Sequence, residues 1–84
     1  MILLGSTGSI GVNALEIARR FGLNIDILVD GNSIELLNKQ IEEFSPRAVV
    51  IGSKGDLHKV KHPSVSYGAE GILEAIENLP RLFF

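Results

Sequence analysis

The 84-residue sequence predicts an α/β fold, a three-layer arrangement with a parallel sheet between helices. Three observations predict it. Short apolar runs at residues 2–4, 25–29 and 48–51 alternate with longer stretches whose apolar residues recur at helical spacing. The runs are continuous rather than alternating, as strands covered on both faces read. The first run passes straight into a glycine-rich turn and then a helix pattern, the opening of a βαβ unit with right-handed crossovers.

Ile2 to Leu4 is the first expected strand, buried and bounded by glycine. From Ile10 the spacing changes, and Ile10, Ala14, Ile17, Ala18 and Phe21 form one apolar stripe of an expected helix. Glu16 precedes Arg20 by one turn, a favourable pair, and Arg19 and Arg20 suit the negative end of the helix dipole. Gly22 suits the left-handed stop position. A second strand follows at residues 25–29, then turn chemistry in Asp30-Gly31-Asn32-Ser33. Ser33 or Asn32 is the expected cap of a second helix, and Asn32 with Glu35 has capping-box spacing. Ile34, Leu37, Ile41 and Phe44 line that helix, and Pro46 marks its end. Ala48 to Ile51 is a third strand closed by Gly52. Beyond it the pattern weakens to one short helix between Ser53 and His62, a short strand at Val65 to Tyr67, and a last helix carrying Ile72, Leu73, Ala75 and Ile76. This β-α-β-α-β order, with its weaker α-β-α tail, is half of a Rossmann-like doubly wound domain.

Composition narrows the function classes. Hydrophobic residues make up 45%, charged residues 21%, and the net charge is −2, so no basic field for nucleic acid exists. There is no cysteine, hence no disulfide framework and no thiolate metal site. No apolar run approaches the ~18 residues of a bilayer span, and the N-terminus lacks a signal-peptide pattern. These features imply no membrane association and a cytoplasmic protein.

The chemistry concentrates in Gly5-Ser6-Thr7-Gly8-Ser9-Ile10-Gly11. Glycine permits a tight turn and close approach of a phosphate to the main chain, and a helix start directs free N–H groups and a positive dipole end at the same place. The spacing G-x-x-G-x-x-G differs from the usual G-x-G-x-x-G, but the strand–turn–helix setting supports a nucleotide site. A P-loop is disfavoured because no Gly-Lys-Ser/Thr occurs. Asp30 ends the second strand, where a carboxylate accepts hydrogen bonds from both adenosine ribose hydroxyls and repels a 2′-phosphate. That chemistry favours NAD over NADP, and plain Asp-Gly turn chemistry is the competing reading. His58 and His62 sit among Lys54, Lys59 and Lys61, which disfavour a bound cation, so a solvated face is expected. Glu42, Glu43, Glu70 and Glu74 read as helix surface, and no catalytic grouping stands out.

The loop Gly5 to Gly11, with Asn13-Ala14-Leu15, Gly31, Leu36-Leu37, Gln40, Glu43-Phe44-Ser45-Pro46-Arg47 and Gly68-Ala69-Glu70-Gly71-Ile72, resembles the 1-deoxy-D-xylulose 5-phosphate reductoisomerase family in order along nearly the whole chain. The resemblance implies an oxidoreductase of non-mevalonate isoprenoid biosynthesis. Such an enzyme rearranges 1-deoxy-D-xylulose 5-phosphate and reduces it to 2-C-methyl-D-erythritol 4-phosphate with NADPH. It implies cofactor binding by Gly5, Thr7, Gly8, Ser9, Ile10 and Gly11 around the pyrophosphate, and by Gly31, Asn32 and Ser33 near the adenosine 2′-phosphate. The family has Lys or Arg and then Asn after that glycine, and a small residue before it. Here Asn32, Ser33 and Asp30 take those places, which leaves NADH open as an alternative coenzyme.

The family's divalent metal, Mg or Mn, and its catalytic residues belong to later regions of a longer enzyme. Residues 1–84 are therefore expected to be an N-terminal NADP-binding Rossmann-like domain, a fragment without catalytic or metal-binding residues and inactive alone. The sequence at residues 79–84 departs from the family pattern. A free-standing nucleotide-sensing module is the alternative, and the open sheet edge allows a homodimer.

Overall fold

The structure is a computed structural model that describes residues 1–78; the reading of residues 79–84 lies outside the described residues. Four parallel strands, β1 (Ile2–Leu4), β2 (Ile27–Asp30), β3 (Ala48–Ile51) and β4 (Val65–Tyr67), lie in the order β1-β2-β3-β4. Between them run α1 (Ser9–Phe21), α2 (Ile34–Phe44) and a 3-10 helix at Lys54–Lys59, and α3 (Gly68–Glu77) follows β4.

Local chemistry sets the boundaries. Gly22 stops α1 in the left-handed conformation at φ 64°, and Ser45 does the same for α2 at φ 47°, one residue before Pro46. Ser33 caps α2, its Oγ accepting the Leu36 N–H at 3.3 Å. The Asn32–Glu35 capping box does not form, because the Asn32 position lies one residue before the true cap.

The two faces of the sheet hold separate apolar clusters. Leu28, Val49 and Ile51 pack with Leu15 and Ala18 of α1, Leu37 and Ile41 of α2, and Val60 beyond the 3-10 helix. Ile27 and Val50 face the other way, against Ala75 and Ile72 of α3. The expected three layers are therefore present: α1, α2 and the 3-10 helix on one face, α3 on the other. Strands stepping steadily in one direction with crossovers of one hand keep their connecting helices on one face. The chain changes face only after β4.

Two expectations need correction. β1 is not buried on both faces: Ile2 and Leu4 are exposed, Leu4 by 65%. Among the described residues β1 has a neighbour on one side only, and α3 covers the β3–β4 half of its face of the sheet. The stripe expected for α1 is rotated: Ala18 is buried as expected and Ala14 half-buried, but Gly11 and Leu15 complete the inward face, while Ile17 and Phe21 are exposed and Ile10 is 85% exposed. Both stripes have helical spacing, so periodicity alone does not choose between them. The glycine loop chooses. A Cβ on Gly11 would lie 2.1 Å from the Gly5 carbonyl oxygen, so only that residue can turn toward the loop. This sets the rotation of the helix.

The surface charges also differ in detail. Among the described residues Arg20 forms no ion pair with Glu16. Arg19 instead reaches across to Glu43 of α2, with Nη2 2.8 Å from Oε1, and lies over the Phe44 ring. Glu42, Glu43, Glu70 and Glu74 are on the surface as expected.

A braced glycine loop at the end of the sheet

The loop leaves β1 at Gly5, whose φ of 71° is a left-handed conformation that glycine adopts without penalty. Gly8 closes the turn by donating its N–H to the Gly5 carbonyl at 3.1 Å and stands as the N-cap of α1 in extended conformation. The first helical bond runs from Val12 N–H to Gly8 O at 2.9 Å. The N–H groups of Ser9, Ile10 and Gly11 therefore precede the helical ladder, at the positive end of a 13-residue helix. Ser9 and Ile10 are exposed, so this end opens to solvent.

Neighbouring elements hold the loop from three directions. Gly5 and Ser6 donate their N–H groups to the Val29 carbonyl at 2.7 and 3.3 Å. Thr7 N–H donates to Asp30 Oδ1 at 3.2 Å. From α2, Gln40 donates its side-chain Nε2 to the Ser6 carbonyl at 2.8 Å, inside the protein. The Ser6 hydroxyl is buried and has no hydrogen-bond partner among the described residues. The Thr7 hydroxyl lies near the Asp30 carboxylate but outside hydrogen-bond geometry, and is likewise unpartnered.

β1 and β2 are parallel and in register, Leu4 opposite Val29, so the loop and the turn after β2 share one edge of the sheet. That turn carries Gly31 and Asn32, both exposed, and Ser33, half-buried. Gly31 lies beside Gly52 at the end of β3; a Cβ added to Gly31 would be 3.6 Å from the Gly52 Cα. The structure thus brings the predicted positions together in two groups: Gly5, Thr7, Gly8, Ser9, Ile10 and Gly11 around the α1 N-terminus, and Gly31, Asn32 and Ser33 around the α2 N-terminus.

Asp30 joins the two groups. The residue is 3% exposed, and its Oδ2 accepts the N–H groups of Asn32 at 3.0 Å and Ser33 at 3.1 Å, while Oδ1 accepts that of Thr7. Burial pushes its carboxyl pKa up. The Thr7 hydroxyl nearby and the N–H groups of Ser33, Asn32 and Thr7 favour the anion more strongly and hold it below the usual carboxylate range. Of the two sequence readings of Asp30, the turn-chemistry one describes its bonds to Asn32 and Ser33; the bond to Thr7 adds a buried link between two loops that the sequence did not reveal.

Gln40 is the site residue whose role sequence reasoning missed. The signal was present: a polar residue standing on the same helix face as Leu37 and Ile41, where a buried amide needs a partner. The histidines stay out of the site. His62 Nε2 lies 2.7 Å from the Pro46 carbonyl oxygen, and its Nδ1 accepts the Ser64 N–H at 2.9 Å, while His58 is exposed. Among the described residues no group of three His, Asp or Glu side chains is placed to hold a metal ion. No helix among them is long and apolar enough to cross a membrane.

Comparison with known proteins identifies the family and the fold. The family model for 1-deoxy-D-xylulose 5-phosphate reductoisomerase matches residues 1–80. The Nautilia profundicola enzyme of that name is 53% identical over 77 residues, covering 92% of this chain and 21% of the relative. The Wolinella succinogenes enzyme is 48% identical over 79 residues, covering 90% and 22%. The chain thus spans about a fifth of the length of the curated relatives it matches. Among solved structures, a DOX-P reductoisomerase in complex with magnesium superposes with a TM-score of 0.78 at 23% identity, over 92% of this chain and 22% of that one. The Zymomonas mobilis enzyme in complex with NADPH gives 0.76 at 22% identity, over 88% and 22%. These two likenesses establish the shared Rossmann-like fold. With the family model covering almost its full length, the chain belongs to the 1-deoxy-D-xylulose 5-phosphate reductoisomerase family.

Proposed function

We propose that this chain is the dinucleotide-binding N-terminal portion of a cytoplasmic 1-deoxy-D-xylulose 5-phosphate reductoisomerase. The observation that carries the reading is the loop from Gly5 to Gly11, braced by Val29, Asp30 and Gln40 and opening onto the α1 N-terminus. Braced N–H groups need no reorganisation when an anion arrives. The pyrophosphate of a nicotinamide dinucleotide fits this place: Ser9, Ile10 and Gly11 offer main-chain donors that precede the helical ladder, while Thr7 and Gly8 shape the turn that aims them. The adenosine ribose extends toward Gly31, Asn32 and Ser33 at the end of the neighbouring strand. The Zymomonas mobilis relative holds NADPH, which supports the coenzyme class.

When bound, the coenzyme supplies a hydride. The residues here bind and orient it and do nothing to substrate. They do not fit the divalent metal of the full-length enzyme either, since no carboxylate or histidine cluster for it stands among the described residues. In this reading residues 1–84 alone are inactive, and rearrangement and reduction depend on the remainder of a full-length enzyme. Calorimetric titration of the folded 84-residue chain with NADPH and NADH tests the reading. Saturable heat with either supports it; none with either, from a sample shown to be folded by circular dichroism, overturns it.

A further inference from the structure

We propose that Asp30 sets the coenzyme preference of this chain, by making the adenosine end of the site a pocket for an unphosphorylated ribose, so that NADH binds at least as tightly as NADPH. The inference rests on the dinucleotide reading above and deepens it.

A 2′-phosphate carries close to two negative charges, and proteins meet such groups with Arg, Lys or free N–H groups at a helix start. The turn after β2 offers little of either. Residues 30–36 contain no Lys or Arg, and their only charged members are Asp30 and Glu35. The N–H groups of Asn32 and Ser33 would be the natural phosphate donors, but both are already bonded to Asp30 Oδ2, at 3.0 and 3.1 Å. The Leu36 N–H is bonded to Ser33 Oγ. The N–H groups of Ile34 and Glu35 still precede the ladder, whose first bond runs from Leu37 to the Ser33 carbonyl, but the Glu35 carboxylate shares that end of the helix.

Moving Asp30 aside to admit the phosphate would break its bond to the Thr7 N–H and leave that group of the pyrophosphate loop unpaired. Besides the Ile34 and Glu35 N–H groups, the turn presents the exposed Asn32 amide and the half-buried Ser33 hydroxyl. These are neutral groups that can hydrogen-bond ribose hydroxyls and gain nothing from an added dianion.

The test is the ratio of NADPH to NADH affinity, measured by calorimetry on the 84-residue chain and on two variants. In the unmodified chain NADH should bind as tightly as NADPH or tighter. Asp30→Ala frees the Asn32 and Ser33 N–H groups and removes the anion, and should move the ratio toward NADPH by about tenfold or more. Asn32→Lys leaves the Asp30 hydrogen bonds intact and adds a cation, so it should move the ratio the same way even if Asp30→Ala folds poorly. An unmodified chain that prefers NADPH by about tenfold overturns the proposal and leaves the dinucleotide reading standing. A ratio unchanged in both variants does the same. Failure of both coenzymes to bind the folded chain overturns both.

Discussion

Thr7 donates its backbone N–H to Asp30 Oδ1 across 3.2 Å, so the end of one strand holds the phosphate-facing loop of its neighbour. The same carboxylate accepts Asn32 and Ser33, which makes the two loops one mechanical unit. Hydrogen bonds to a charged acceptor are worth about 1.5–3 kcal/mol each, more than neutral ones.

This link predicts acid sensitivity. The folded-state pKa of Asp30 is depressed, so its contribution to stability is fully present above the unfolded aspartate value of about 3.9. It is lost as pH falls through the lower folded value. Asp30→Asn should destabilise the chain at neutral pH by about 2 kcal/mol, because one amide face turns a donor toward N–H groups. It should also flatten the loss of stability below about pH 4. Urea unfolding at several pH values checks both; an unchanged pH profile would remove Asp30 from the linkage.

Gly11 is the steric keystone of the loop. A methyl group there would meet Gly5 O at 2.1 Å and Ser6 Cα at 2.7 Å, both backbone atoms with no rotamer to escape into. Gly11→Ala should cost about 1–3 kcal/mol of stability and weaken dinucleotide binding. Gly8→Ala is the control, since its Cβ would lie 3.5 Å from Gly5 O, an ordinary contact. Thermal melts of the pair should separate clearly, at about 4–8 °C for each kcal/mol.

Gln40 should prove a positioning residue. Gln40→Leu keeps the apolar packing of α2 but leaves the buried Ser6 carbonyl without its donor. A loss of about 1–3 kcal/mol is expected, with weaker binding of both coenzymes and no change in their ratio. A changed ratio would instead place Gln40 at the adenosine end. Amide hydrogen exchange in residues 5–8 should accelerate if the brace works through the loop.

The exposed apolar residues predict self-association of the 84-residue chain. Among the described residues β1 has an unpaired edge with Ile2 and Leu4 exposed on it, and α1 separately exposes Ile10, Ile17 and Phe21. Light scattering should show mass rising with concentration, and Leu4→Lys should suppress it by charging the edge. A monomer at all concentrations would count against a homodimer formed through this edge.

The sequence by itself determined the elements and their order. Gly22, Pro46 and Gly52 punctuate the chain, and the apolar runs are too short and too β-branched for helices, so local chemistry was sufficient. It also placed the phosphate-facing loop, because a glycine turn between a strand and a helix is a local pattern. Tertiary structure decided how α1 is rotated toward the core, since Ile10-Ala14-Ile17-Ala18-Phe21 and Gly11-Leu15-Ala18 both have helical spacing and share Ala18. Only the contact of Gly11 with Gly5 distinguishes them. It decided that β1 lies at an edge of the sheet among the described residues, which depends on strand order rather than composition. It gave Asp30 and Gln40 their roles, because each bonds to a residue 23 and 34 positions away along the chain. Hydrophobic spacing is set by neighbours in sequence, whereas the partner of a buried polar group is set by whatever the fold brings beside it.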